Sequence, residues 1–154
     1  METGLWITAL VIVTLLFASA FFSGSETALT AASRGKLHAR ADKGSKGAGL
    51  ALRLLDDTES LIGAILLGNN LMNILAASLA TVFFTRLFGE GGVAYATLVM
   101  TALVVIFAEV LPKTYAITNA ETASTRVAPI IAVVIRIFAP IVAFVRYIVR
   151  AALG

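Results

Sequence analysis

Cysteine is absent from this sequence of 154 residues, and histidine occurs once, as His38. Without cysteine the chain has no disulfides, no thiolate metal sites and no cysteine nucleophiles. His38 lies among Arg34, Lys36 and Arg40, a basic setting that does not suggest catalysis. Charged residues are also scarce, at 14%, whereas a soluble domain has roughly 25%. Because 59% of the residues are hydrophobic, the composition indicates a membrane protein.

Three segments are long and apolar enough to cross a bilayer, which takes ~20 residues. They cover about residues 5–22, 61–88 and 93–111. Only Gly89–Gly92 separates the second segment from the third, so we expect a tight loop there. A signal peptide cleaved near Ala18–Ala20 is the alternative for the N-terminus. Met1–Trp6 carries no Lys or Arg, however, and this favours a retained first membrane helix.

A basic stretch separates the first two apolar segments. Its lysines and arginines run from Arg34 to Arg53, and the positive-inside rule places them in the cytoplasm. The N-terminus and the Gly89–Gly92 loop are then extracytoplasmic. The centre of the stretch, Lys43–Gly49, is typical of a turn between two short helices. We therefore predict a cytoplasmic helical hairpin at about residues 27–57, in a multi-pass protein of the cell (inner) membrane with a cytoplasmic C-terminus.

The last segment allows two interpretations. Residues 127–145 are apolar enough for a fourth span, but that span would carry two arginines outside the cell, against the charge rule. At ~100° per residue, three arginines fall within an arc of about 80°: Arg136, Arg146 and Arg150. A basic stripe on an apolar helix is typical of a helix that lies in the membrane interface. We favour an amphipathic juxtamembrane helix at about residues 121–153, bent by its two prolines.

Glu109 is an acidic residue inside the third apolar segment. A carboxylate near hydrocarbon costs at least ~2.5–3.5 kcal/mol, so we expect it to be paired, protonated or bound to a cation. Pro112 cannot donate to the carbonyl of Ala108, which leaves that oxygen free beside the carboxylate. The alternative is a salt bridge from Glu109 to Lys113. The proline distorts that spacing, and the lysine can extend to the cytoplasm instead.

The other two apolar segments carry neutral oxygens. Ser19 and Ser23 are four residues apart, so their hydroxyls share one helical face. The second segment holds three amides: Asn69, Asn70 and Asn73. An unpaired buried amide costs a few kcal/mol, and hydrogen bonding between helices is one way to satisfy it. Together with Glu109 these groups form a set of hard oxygen donors, which suits Mg²⁺ and not Zn²⁺ or Cu²⁺.

Three motifs resemble the transmembrane domain of the CorC/CNNM family. They are Phe22-Ser23-Gly24-Ser25-Glu26-Thr27-Ala28, Leu67-Gly68-Asn69-Asn70-Leu71-Met72-Asn73 and Glu109-Val110-Leu111-Pro112-Lys113. Their order, their spacing and the basic loop after the first motif also agree. The resemblance implies a homodimer with three membrane helices and a juxtamembrane helix in each subunit, in an all-α fold.

The resemblance further implies magnesium transport, as export driven by an inward sodium gradient. It implies a Mg²⁺ site in each subunit, carried over to Ser19, Ser23, the asparagines and Glu109. Which of Asn69, Asn70 and Asn73 is the ligand stays open. Na⁺, as the coupling ion, would use nearby serines, threonines or Glu26. Besides these ions and a second subunit we expect the lipid bilayer as a partner, and no nucleic acid.

Family members normally continue into a cytoplasmic pair of CBS domains that bind ATP. We therefore expect this chain to be part of a longer protein, in which ATP acts only through those domains. The competing hypothesis is a non-transporting membrane anchor or Mg²⁺ sensor, whose polar clusters satisfy one another. An enzyme is disfavoured because a lone Glu with serines makes no nucleophile–base pair and no apolar segment contains a His.

Overall fold

The computed structural model describes residues 2–154, with side chains from Thr3 onward, and is helical over nearly all of that range. The helices are α1 Glu2–Ala31, α2 Arg34–Asp42, α3 Lys46–Asp56, α4 Thr58–Phe88, α5 Gly92–Leu103, α6 Leu111–Thr118 and α7 Ala120–Leu153. A 3₁₀ turn at Gly89–Gly91 joins α4 to α5, and a π-helix at Val104–Val110 joins α5 to α6. No strand occurs in the described part of the chain. The predicted all-α membrane fold is confirmed.

Three stretches of the described residues are long and apolar enough to cross a membrane. They are Thr3–Ala31, Thr58–Thr118 and Ala120–Leu153. The second stretch contains both the second and the third predicted spans, with the Gly89–Gly91 turn between them. The third stretch is α7, which continues as one helix through Pro129 and Pro140. Its position in the interface, as opposed to a fourth span, stays a prediction.

The chain forms two compact units. The first unit comprises the described residues up to Gly24 together with Gly68–Thr114, and the second comprises Ser25–Leu67 and Tyr115–Gly154. Helices α1, α4 and α6 therefore contribute residues to both units. All six predicted ligands, from Ser19 to Glu109, belong to the first unit.

Small side chains bring the helices of the first unit together. Ala76 and Ala80 of α4 and Ala96 of α5 are almost fully buried, in a core shared with Ile12 and Met100. Larger side chains surround this core: Leu15, Leu16, Leu79, Phe83, Phe84, Leu103 and Val104. The sequence offers a strip of three alanines on α4, at positions 76, 77 and 80, for close helix packing. Two of them pack within the chain, and the third is exposed.

The hairpin between α4 and α5 depends on glycine. Gly89 has a φ of +74°, a conformation that glycine adopts without steric cost. At Gly92, an added Cβ would lie 2.6 Å from the backbone nitrogen of Thr85, so the helices approach too closely for a side chain. The rings of Phe88 and Tyr95 pack across the turn with centroids 5.1 Å apart. The tight loop predicted here is present.

In the second unit α2 and α3 form a hairpin that packs on α7. The turn is shorter than predicted: it ends at Ser45, and the prediction of a turn up to Gly49 is wrong. The hydroxyl of Ser45 accepts a hydrogen bond from the N–H of Ala48 at 3.1 Å, which starts α3 early. Gly47 then lies inside α3, where an added Cβ would be 2.7 Å from Cγ2 of Thr125 on α7.

A second set of contacts joins α7 to the start of α4. We call it the Arg146 cluster, formed by Arg146, Asp57, Glu59 and Ser60. The Arg146 guanidinium lies 2.8 Å from Glu59 and 3.8 Å from Asp57, and it donates to the Ser60 hydroxyl at 3.1 Å. Asp57 accepts the N–H of Ser60 at 3.3 Å and so caps α4. Hydrogen bonding from Ser60 lowers the pKa of Asp57, and the charge of Arg146 acts in the same direction.

Candidate functional site

Ser19 and Ser23 of α1 present their hydroxyls to the interior of the first unit. Both residues are 0% exposed. Their four-residue spacing places them on one face of the helix, about one turn or ~5.4 Å apart along the axis. Each hydroxyl contacts polar side chains of another element. The predicted serine pair therefore organises two neighbouring polar groups.

The first is the Ser19 group, formed by Ser19, Asn69 and Asn73. The hydroxyl oxygen of Ser19 lies 2.8 Å from Oδ1 of Asn69 and 2.6 Å from Oδ1 of Asn73. A serine hydroxyl has a single proton, so it cannot donate to both amide oxygens at once. The group is completed either by turning one amide so that its NH₂ donates to Ser19, or by a cation that all three oxygens share. With the amides oriented as they are, the group therefore has more hydrogen-bond acceptors than donors.

The second is the Glu109 group, formed by Ser23, Glu109 and Lys113. The hydroxyl of Ser23 donates to Oε2 of Glu109 at 3.3 Å. Nζ of Lys113 lies 3.8 Å from the same oxygen. The salt bridge considered as the alternative at the sequence level is thus formed across Pro112. With side-chain exposures of 31% for Glu109 and 41% for Lys113, both charges are half-buried.

A π-helix positions Glu109. Within Val104–Val110 the backbone follows a wider turn, and at its end the N–H of Leu111 bonds to the carbonyl of Ile106, five residues earlier. Single π-helical turns within α-helices occur frequently at functional sites. This π-helical turn was not predicted from the sequence. The available signal was Pro112, which has no N–H to continue an α-helical ladder.

One glycine of the site lets two helices approach closely, and a second faces a proline at an ordinary contact distance. At Gly68, beside Asn69, an added Cβ would lie 2.6 Å from the ring of Phe22, the neighbour of Ser23. At Gly24, an added Cβ would lie 3.4 Å from Cβ of Pro112. Both glycines belong to the motifs quoted above, and both face an aromatic ring or proline next to a polar site residue. The lack of a side chain at Gly68 allows α1 and α4 to approach closely enough for the Ser19 hydroxyl to meet the amides.

The structure brings five of the six predicted ligands into these two groups. The exception is Asn70, which is exposed and makes no hydrogen bond in the described part of the chain. Ser25, the next serine of the first motif, belongs to the second unit and buries a hydroxyl without a partner. Within the described residues no three His, Cys, Asp or Glu side chains cluster together. A cation held here would contact mainly neutral oxygens and the Glu109 carboxylate.

Comparison with known proteins places this arrangement in a family. The family model described as the cyclin M (CNNM) transmembrane N-terminal domain matches residues 10–154. The UPF0053 protein of Haemophilus influenzae is 40% identical over 133 residues, 86% of this chain and 32% of that protein. The UPF0053 inner membrane protein YfjD of Escherichia coli is 49% identical over 98 residues, 64% of this chain and 23% of that protein.

Plants have similar chains as well. A chloroplastic DUF21 domain-containing protein of Arabidopsis thaliana is 38% identical over 112 residues, covering 73% of this chain and 17% of that protein. This chain thus spans about a third or less of the length of these relatives. The family match covers both polar groups, the hairpin and α7. We conclude that the chain belongs to the cyclin M (CNNM) transmembrane domain family, and that it is a multi-pass membrane domain of this kind.

Proposed function

We propose that this domain transports Mg²⁺, as export coupled to an inward flow of Na⁺, through a site that replaces water around the ion. The observation that carries the proposal is the Ser19 group, in which two amide oxygens converge on one hydroxyl oxygen at 2.8 and 2.6 Å. Mg²⁺ binds hard oxygens and gives up its water reluctantly. A preformed oxygen cage in a membrane domain is suited to that task.

Each residue has a distinct part in the proposal. Glu109 supplies the negative charge, while Ser19, Ser23, Asn69 and Asn73 supply neutral oxygens. One carboxylate gives moderate affinity, which release of a transported ion requires. Asn70 is the least supported ligand, because its side chain lies outside both groups.

Movement of the site would take place where the helices are weakest. Gly24 faces Pro112 across the contact between α1 and the start of α6. Glycine and proline both weaken helices locally, so these positions are candidate hinges. Na⁺ as the coupling ion, with serines, threonines or Glu26 as its ligands, belongs to the same proposal. So does the homodimer in the cell (inner) membrane, with its N-terminus outside.

A specific observation favours the alternative, a membrane anchor or Mg²⁺ sensor. Lys113 lies 3.8 Å from Glu109, so the carboxylate already has a cationic neighbour. An anchor predicts such internal pairing and needs no bound ion. The transporter predicts that Lys113 competes with the cation for the same carboxylate. The two hypotheses therefore differ in what removal of Lys113 does.

Calorimetric titration of the purified domain with Mg²⁺ tests this difference. Glu109→Gln is expected to abolish binding, since it removes the charge and keeps the shape. Lys113→Gln is expected to bind Mg²⁺ at least as tightly as the wild type, because the competing ammonium is gone. Sodium-gradient-driven Mg²⁺ efflux from liposomes then tests transport itself.

The matched control is Lys43→Gln, a lysine on the α2–α3 turn that lies outside both groups. It removes the same charge and is expected to leave Mg²⁺ binding unchanged. Equal binding by Glu109→Gln and wild type would reject the site. Binding without efflux would favour the sensor.

A further inference from the structure

One edge of α7 carries exposed arginines along its length. At ~100° per residue, five positions fall within an arc of about 80°: Arg136, Pro140, Ala143, Tyr147 and Arg150. All five are exposed. At 1.5 Å per residue the edge is ~21 Å long. We call it the arginine edge of α7.

The arginines of this edge make no direct contact with another charged group in the described residues, and the charge of Arg150 acts on Glu59 only from a distance. Neither the Arg136 nor the Arg150 guanidinium forms a hydrogen bond or an ion pair within the described residues. Arg146, which borders the edge, behaves differently: Glu59 pairs with it at 2.8 Å, and it is only 29% exposed. Contacts within the chain thus neutralise Arg146 and leave the guanidinium groups of Arg136 and Arg150 accessible to a ligand.

The surface beside the arginine edge is apolar. Large exposed side chains cover it, namely Val133, Ile137, Ile141, Phe144 and Ile148. The packed face of the helix, with Ile131 and Val142, lies on the other side. Tyr147, 72% exposed, belongs to the edge itself, and tyrosine is enriched where membrane meets water. Hydrocarbon on one side and charge along the edge match a helix at the depth of lipid headgroups.

We propose that the arginine edge binds the phosphate groups of anionic phospholipids, and that this binding holds α7 in the membrane interface. Arg150 and Tyr147 lie three residues apart, on neighbouring positions of the helix surface. A guanidinium fork and a phenol hydroxyl are good donors to one phosphate. Arg136, about 21 Å away along the axis, would contact a second lipid. The proposal concerns α7 alone and does not depend on Mg²⁺ transport.

Native mass spectrometry of the purified chain in a neutral detergent, titrated with phosphatidylglycerol, tests the proposal. A basic residue near an anionic surface contributes about 1 kcal/mol, or about fivefold in affinity. Arg136→Gln and Arg150→Gln are each expected to weaken phosphatidylglycerol binding by about that factor, and the double variant by more. Phosphatidylcholine is expected to bind weakly to every variant. Inorganic phosphate is expected not to displace the lipid, because it lacks the acyl chains that the apolar side contacts.

Arg53→Gln is the matched control, an exposed arginine of α3 that forms no ion pair in the described residues. It removes the same charge and is expected to retain wild-type lipid affinity. Circular dichroism checks that every variant is folded, as expected for substitutions at exposed positions. If Arg53→Gln lost as much phosphatidylglycerol affinity as the edge variants, the loss would follow from net charge alone, and the proposal would be overturned. Unchanged affinity in the folded double variant, or full competition by phosphate, would overturn it too.

Discussion

Two polar groups of this molecule satisfy their hydrogen bonds in opposite ways. In the second unit the Arg146 cluster is rich in donors: its guanidinium reaches Glu59 at 2.8 Å and Ser60 at 3.1 Å, and its Nε is buried without a partner. In the first unit the Ser19 group is rich in acceptors, with one hydroxyl proton for two amide oxygens. The Arg146 cluster pairs opposite charges, whereas the Ser19 group brings several oxygen acceptors together.

The difference distinguishes a structural contact between helices from a binding site. Donors paired with carboxylates hold helices together and need no bound ion. Converging acceptors repel each other unless a proton or a cation lies between them. Residues that serve stability alone should therefore behave like the Arg146 cluster. The two amides that serve binding should contribute little to stability, or oppose it, whereas the Ser19 hydroxyl between them should stabilise the empty site.

The largest expected effect is on Mg²⁺ binding, from the double substitution Asn69→Leu and Asn73→Leu. Loss of a group that only supports a metal ligand already costs 10–100-fold in affinity, so loss of two direct ligands should exceed about a hundredfold. Replacing both partners of a hydrogen bond by apolar groups can be neutral for folding, and the Ser19 hydroxyl that remains can donate instead to a backbone carbonyl one turn earlier in α1. The melting temperature should therefore hold or rise while calorimetry shows no Mg²⁺ binding. A domain that melts much earlier would mean that the amides are structural.

The next effect is on stability, from Ser19→Ala. This change removes the only hydroxyl between two amides and leaves their oxygens without a donor, at a cost of about 1–3 kcal/mol. Thermal unfolding in detergent measures the loss. Ser19→Ala in the background of the two leucine substitutions is the control, and there the cost should nearly vanish. An equal cost in both backgrounds would show that the hydroxyl acts independently of the amides.

A smaller effect is expected from Arg146→Gln. The partners of Arg146 are more than half exposed, and solvent screens such pairs so that each contributes little to stability. Stability should fall only slightly, with Mg²⁺ affinity unchanged. Glu59→Gln should cause a similar loss, and the double variant should lose less than the sum. Altered Mg²⁺ affinity in Arg146→Gln would break the distinction between the two groups.

The smallest effect concerns Asp57 and pH. Its folded pKa is lowered by Ser60 and Arg146, so its contribution is present at neutral pH. That contribution is lost as the pH falls below about 4, the ordinary range of aspartate, and through the folded value. Asp57→Asn keeps the helix cap and removes the charge. The wild type should therefore lose a few tenths of a kcal/mol more than this variant between pH 5 and pH 3, as melting curves at each pH would show.

Local patterns predicted most of the architecture. Apolar length indicated the long helices, and glycine clusters indicated both turns. The α2–α3 turn was predicted too long, because Gly47 and Gly49 read as turn residues. In the structure Gly47 is helical and provides the space that Thr125 of α7 occupies. A close contact between distant segments has no signature in the sequence around one glycine.

The candidate site was predictable by residue type and less so by geometry. Polar residues in apolar segments are costly, which singled out Ser19, Ser23, Glu109 and the asparagines. The sequence could not choose among Asn69, Asn70 and Asn73, since all three follow one another within two turns. The orientation of α4 about its own axis distinguishes them. Asn70 points outward, while Asn69 and Asn73, four residues apart, both contact Ser19.

The π-helix at Val104–Val110 adds a consequence of its own. A π turn takes up one more residue than an α turn. A change from π to α hydrogen bonding over this stretch would rotate the Glu109 carboxylate about the helix axis by about 100°, the angle of one residue. The helix would not have to unfold for the carboxylate to leave Ser23. Because the chain has no cysteine of its own, the labelling rate of Glu109→Cys would report such a rotation directly.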